Sequence, residues 1–163
     1  MLQAAGAGLL VLCTNTMHTV AEVIAAAVDV PLIHIADPTA AAIEAAGLSR
    51  VGLLGTRYTM QQDFYRGRLE QLHHLSVLVP AEPDLTLVHR VIYDELVQGI
   101  IRDESRQEYL DVISRLRQRG AEGIIAGCTE IELLVHDDQL SLPYFPTTRL
   151  HALAAVDHAL AEG

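Results

Sequence analysis

The stretch Gly123-Ile-Ile-Ala-Gly-Cys-Thr-Glu130 holds an aliphatic run with no polar alternation, closed by a cysteine, a threonine and an acid. A run of that length and composition reads as a strand buried on both faces, as in a parallel sheet covered by helices. The same design occurs once upstream, where Gly8-Leu-Leu-Val-Leu-Cys13 leads into Thr14 and Asn15. Two aliphatic strands that each end in Cys-Thr imply repeated β-α units, with polar groups gathered beyond the strand ends.

The rest of the chain keeps this rhythm. Further short strands are expected at residues 31–35, 50–55, 75–79 and 142–145. Helices are expected over 17–27, from Asp37-Pro38 to Gly47, and over 59–73, 84–98, 103–119 and 147–161, with another starting at Glu130. Asp37 followed by proline suits a helix start, and Gly47 suits a helix end. Half of the 163 residues are hydrophobic, with two phenylalanines, five tyrosines and no tryptophan, a balance that fits helices on an aliphatic sheet. The formal net charge of −10 argues against nucleic acid and anionic membranes as partners. No apolar run approaches a membrane span. Two cysteines far apart suggest neither a disulfide framework nor a metal site, so a cytoplasmic protein is expected.

Five stretches stand out in order, two of them holding the Cys-Thr pairs. They are Cys13-Thr-Asn-Thr-Met-His18, Gly55-Thr-Arg-Tyr-Thr-Met60, Val91-Ile-Tyr-Asp-Glu-Leu96, Gly127-Cys-Thr-Glu-Ile131 and Thr147-Thr-Arg-Leu-His-Ala152. Together they resemble the ordered signature of the aspartate/glutamate racemase family over residues 13–152.

The resemblance implies an α/β fold of two similar lobes, each a parallel-dominated sheet flanked by helices, with the active site between them. One lobe would comprise residues 1–45 and 142–163, the other residues 46–141. It also implies a racemase of an acidic amino acid, aspartate or glutamate, working by two-base proton transfer at the α-carbon. Neither pyridoxal phosphate nor metal is expected as a cofactor, and a homodimer is the expected assembly. The family's β-α unit ahead of the first cysteine strand has no counterpart before Leu9, so the first lobe is expected to be incomplete at its N-terminus. Pro146 stands where the family often has an acid.

The family's usual motif, Cys-Asn-Thr-x-His, aligns on Asn15, Thr16 and His18, which puts Thr14 rather than Cys13 at the position of the first acid/base. Strand alternation would then turn Cys13 away from the cleft. Cys128 is the second acid/base, with a thiol that a following helix N-terminus could make more acidic. Asn15, Thr16, Thr129 and Glu130 resemble ligands of the substrate's α-carboxylate and amino group, and Thr56 and Thr59 share that reading. Each could equally cap a helix. Arg57 is the first candidate to bind the side-chain carboxylate, with Arg149 and Arg90 behind it. The eight histidines have no metal-ligand spacing; His73, His74, His151 and His158 are expected on helix surfaces, and His18 is the one with motif support. Two other readings remain: a dicarboxylate-binding protein without turnover, and a relative of hydantoin racemases or malonate decarboxylases.

Overall fold

A computed structural model describes residues 2–161 of the chain. Its framework is a four-stranded parallel sheet built from β3 (Arg50–Gly55), β4 (Ser76–Leu78), β5 (Gly123–Gly127) and β6 (Tyr144–Pro146), in the order β4-β3-β5-β6. A second parallel sheet pairs β1 (Leu10–Val11) with β2 (Leu32–Ile33). The α/β architecture with two parallel sheets that the resemblance implied is therefore present. The helices are α1 (Ala21–Ala26), α2 (Ala36–Ala45), α3 (Arg57–Gln61), α4 (Arg68–Leu72), α5 (Asp84–Asp94), α6 (Asp103–Gln118), α7 (Ile131–Leu134) and α8 (Thr147–Ala161). Among the described residues, no helix is long and apolar enough to cross a membrane.

The two central strands are where sequence and burial agree best. Val51, Leu53 and Leu54 of β3, and Ile124, Ile125 and Ala126 of β5, are fully buried. Side chains alternate between the two faces of a strand, so continuous burial requires helices on both sides of the sheet. On α6, Tyr109, Val112, Ile113 and Leu116 share one buried stripe at helical spacing. The Tyr109 hydroxyl donates to the Val88 carbonyl at 2.8 Å, tying α6 to α5.

Several expected helices are shorter than their sequence suggests. The stretch over 59–73 is broken at Gln62, whose backbone is extended, and resumes through a π-turn at Asp63–Gly67 before α4. The helix expected from Glu130 is the single turn α7. Gly47 and Gly99 take left-handed backbones (φ 71° and 73°) and end their helical segments. β6 lies at the edge of the large sheet, where Pro146, which lacks an N–H, can be accommodated opposite Ala126. Residues 144–146 thus add to the sheet of β3 and β5, while α8 packs on α2 and β2.

The strand order decides where a site can form. From β3 the chain moves outward to β4, then crosses back to β5 on the other side of β3. The gap between β3 and β5 is a topological switch point, and ligands bind beyond the carboxyl ends of strands at such points. Those ends are Gly55 and Gly127, which face each other in register. A Cβ added to Gly127 would lie 2.8 Å from the Leu54 carbonyl oxygen, and one on Gly55 2.9 Å from the Gly127 oxygen. The obstacles are backbone atoms, which cannot rotate aside. Gly127→Ala is expected to lower stability by about 1–3 kcal/mol, the usual cost of overpacking, read as a lower urea midpoint. An unchanged midpoint would show that the strands can part without cost.

Candidate active site

Three groups of side chains meet at the strand ends. Beyond β3, the hydroxyls of Thr56 and Thr59 lie 3.2 Å apart, and the Thr56 oxygen also accepts the Thr59 N–H, starting α3. The Thr16 hydroxyl, from the segment after β1, lies 3.0 Å from Thr56 and 3.4 Å from Thr59. The capping and ligand readings of Thr56 are therefore compatible. Its hydroxyl caps a helix and also belongs to a three-hydroxyl cluster joining the two sheets.

Beyond β5 sits Cys128, 9% exposed. Its thiol donates to Glu130 Oε2 at 3.0 Å, and the same oxygen accepts from the Thr129 hydroxyl at 2.7 Å. The following helix was expected to make this thiol more acidic, but the structure gives the opposite. Burial first, then the Glu130 carboxylate, pushes the thiol up to about 12. A four-residue helix has little dipole to oppose them. For Glu130, burial works to raise the pKa, but hydrogen bonds from Cys128 and Thr129 outweigh it and hold the carboxyl below its usual range. The pair is a neutral thiol donating to an ionised acid.

Beyond β1, the Thr14 N–H donates to the Leu12 carbonyl at 2.8 Å, a three-residue turn that interrupts strand geometry. Because β1 stops at Val11, alternation no longer governs Cys13 and Thr14. Both residues, together with Thr129, Thr148 and His151, line one cavity of about 100 Å³. The expectation that Cys13 turns away fails for this reason. Cys13 is the exposed cysteine of the two, and Thr14 is half-buried.

Asn15, which is 4% exposed, donates from Nδ2 to the Thr147 hydroxyl at 3.1 Å. Thr147 in turn donates to the Ala126 carbonyl at 2.8 Å.

Arg57 lies apart from these groups. Its guanidinium contacts Glu82 at 3.1 Å and the Thr86 hydroxyl at 2.7 Å, and its backbone N–H donates to His89 Nδ1. Its charge already has a partner. Arg90 and Arg149 are exposed.

Sequence reasoning missed the histidines around this turn. His151 was expected on a helix surface but is 3% exposed, and it lies 2.8 Å from the Ile33 carbonyl oxygen. His34, 7% exposed, accepts the Ala36 N–H at Nδ1. His18 accepts the Ile35 N–H at Nε2 (3.1 Å), which leaves Nδ1 as the protonated nitrogen that donates to the Thr14 carbonyl at 2.7 Å. The His18 ring lies 4.4 Å from that of His34 and 5.7 Å from that of His151. Burial lowers His18, partly opposed by the Thr14 carbonyl; burial and then His18 push His34 down to about 3. His73 is no free surface group either, since it contacts both Asp37 and Glu44. A histidine within an aliphatic run, as in Leu32-Ile-His-Ile35, was the available signal.

A family model described as Asp/Glu/hydantoin racemase matches residues 1–155. A crystal structure of a candidate Asp/Glu racemase from Yersinia pestis superposes with a TM-score of 0.93 and 53% identity, covering 98% of this chain and 69% of that one. An aspartate racemase homologue from Pyrococcus horikoshii OT3 gives a TM-score of 0.88 and 33% identity, over 97% and 69% of the two chains. A glutamate racemase from Persephonella marina is 27% identical over 127 residues, which are 77% of this chain and 47% of that protein. The chain thus spans about two thirds of the first two relatives and about half of the third. These matches establish that the chain belongs to the Asp/Glu/hydantoin racemase family.

Proposed function

We propose that the chain carries the proton-transfer groups of a cofactor-independent racemase of an acidic amino acid, aspartate or glutamate. The observation that supports this most is the Cys128–Glu130 pair, in which a neutral thiol donates at 3.0 Å to an ionised carboxylate. Thr129, next in sequence to Cys128, lines the cavity that Thr14 lines from the other sheet.

The Cys128 thiol passes its proton to Glu130, and the resulting thiolate takes the α-proton of the substrate. The α-carbanion then takes a proton from the opposite face, from Thr14 or a water it holds, and solvent restores both sides. A threonine hydroxyl is a much weaker acid than a thiol, so the two enantiomers are expected to exchange at unequal rates. Asn15, Thr16, Thr56, Thr59 and Thr129 would hold the α-carboxylate and amino group, and hydroxyls and amides can do so without a net charge. Arg57 could bind the side-chain carboxylate only by giving up Glu82. The same reading takes the protein as a cytoplasmic homodimer.

A second reading, binding without turnover, draws support from the raised Cys128 thiol and from threonine at position 14. Proton NMR in deuterated water separates the two, using both enantiomers of aspartate and of glutamate, and a hydantoin. Loss of the α-proton signal from aspartate or glutamate is the expected result. Ligand line broadening without exchange would support the binding protein, and exchange of the hydantoin alone would place the activity with the hydantoin relatives. Neither exchange nor binding would overturn both readings.

A further inference from the structure

The contacts of Thr147 form a directed relay that ties the two strand ends together. Asn15 Nδ2 can only donate and the Ala126 carbonyl can only accept, so the hydroxyl between them must accept from one and donate to the other. Threonine and serine are the aliphatic side chains that do both through one oxygen. Thr147 is fully buried and Asn15 nearly so, which leaves little access for water to replace either bond.

Two consequences follow from this polarity. Ala126 lies two residues before Cys128, and Asn15 follows Thr14, so the relay spans the two proposed proton-transfer ends through one atom. With Nδ2 committed to Thr147, the other side of the Asn15 amide must present Oδ1, and that oxygen is buried with no partner among the described residues. A buried acceptor without a partner costs about 1–3 kcal/mol, which a bound N–H donor would relieve.

We propose that Thr147 is a positioning residue of the site: its hydroxyl holds the Thr14 and Cys128 strand ends at their working separation and turns the Asn15 carbonyl oxygen toward the acceptor role for a substrate's ammonium group. The ammonium part rests on the racemase reading; the relay itself does not.

The test compares Thr147→Val, which keeps the shape and removes the hydroxyl, with Thr147→Ser, which keeps the hydroxyl. Two readouts need no turnover. One is the NMR signal of the Asn15 side-chain amide. The other is the rate at which iodoacetamide alkylates Cys128, resolved from Cys13 by peptide mass spectrometry. Thr147→Val is expected to shift the Asn15 amide signal and to speed Cys128 alkylation about tenfold, the equivalent of one lost buried hydrogen bond. Cys13 should react at an unchanged rate. If the wild type exchanges the α-proton, Thr147→Val should lower kcat by about 10–100-fold, the usual cost of losing a supporting contact, and should raise KM as well. Thr147→Ser should stay within about twofold of wild type on every readout.

Wild-type alkylation and amide signals in Thr147→Val would overturn the proposal. So would Thr147→Ser being as impaired as Thr147→Val, since bulk rather than the hydroxyl would then matter. Should Thr147→Val not fold, Asn15→Asp replaces the donor with an acceptor of equal size and is expected to speed Cys128 alkylation likewise; an unchanged rate there would also refute the relay. Failure of the wild type to exchange would sink the racemase reading and leave the relay to be judged by alkylation and the amide signal.

Discussion

Cys128→Ser is expected to lower α-proton exchange on the order of a thousandfold, within the range that a positioned acid/base group contributes. A serine hydroxyl would fit the pocket and could still donate to Glu130, so the fold should persist and circular dichroism should be unchanged. The ability to carry the α-proton would be lost, because a hydroxyl beside a carboxylate is far harder to ionise than a thiol. Glu130→Gln probes the same step from the other side. An amide oxygen can still accept from the thiol but cannot take up its proton, so exchange should fall about a hundredfold. Thr14→Ala should differ in kind, slowing exchange of one enantiomer more than the other. Full exchange by Cys128→Ser would remove that residue from the mechanism. Equal slowing of both enantiomers by Thr14→Ala would remove the assignment of Thr14 to one face.

The other large effect is on acid stability. His34 is neutral in the fold, accepting the Ala36 N–H beside the ring of His18, and burial holds it at about 3 against an ordinary value of 6.5. Around it, Asp37 favours the charged form, while His18, Arg68 and His151 oppose it. Above the unfolded value both states are neutral and His34 adds no pH dependence. As pH falls below 6.5, the unfolded chain takes up a proton that the folded chain refuses, so its stabilising effect is lost progressively down to about 3. The loss is about 1.4 kcal/mol per pH unit, or about 3 kcal/mol by pH 4.5. His18, lowered by burial in the same way, adds to it.

Urea unfolding at pH 7.5 and at pH 4.5 should reveal this difference. His34→Asn can keep an acceptor for the Ala36 N–H but does not titrate, so it should flatten that dependence even if it costs stability at both pH values. An equally steep fall in His34→Asn would assign the acid sensitivity to other groups. Protonation of His18 itself would remove the Nε2 lone pair that accepts the Ile35 N–H, while the Nδ1–H donated to the Thr14 carbonyl would remain.

What could be read in the residues follows from how local each signal is. β3 and β5 are legible because a strand buried on both faces can hardly contain a polar side chain. Gly47 and Gly99 mark helix ends because left-handed backbone strains other residues. The break at Gln62 was not legible, since nothing in Tyr58-Thr-Met-Gln-Gln-Asp63 forbids a helix. The two-residue strand β1 also ends earlier than its aliphatic run, and that moved Cys13 to the cavity it was expected to leave.

By itself, the sequence determined that aliphatic strands alternate with helices, that Cys-Thr pairs close two of them, and that the family signature runs in order. Each of these depends on neighbours along the chain. Only the tertiary structure decided the charge state and partners of those residues. The Cys128 thiol is raised rather than lowered, because burial and the Glu130 carboxylate outweigh a one-turn helix. Arg57 is paired with Glu82, 25 residues further along the chain. Asn15 and Ala126, separated by most of the chain, share the hydroxyl of Thr147. Desolvation, and the bonds between residues far apart in the chain, arise where distant segments meet, so no reading of adjacent residues contains them.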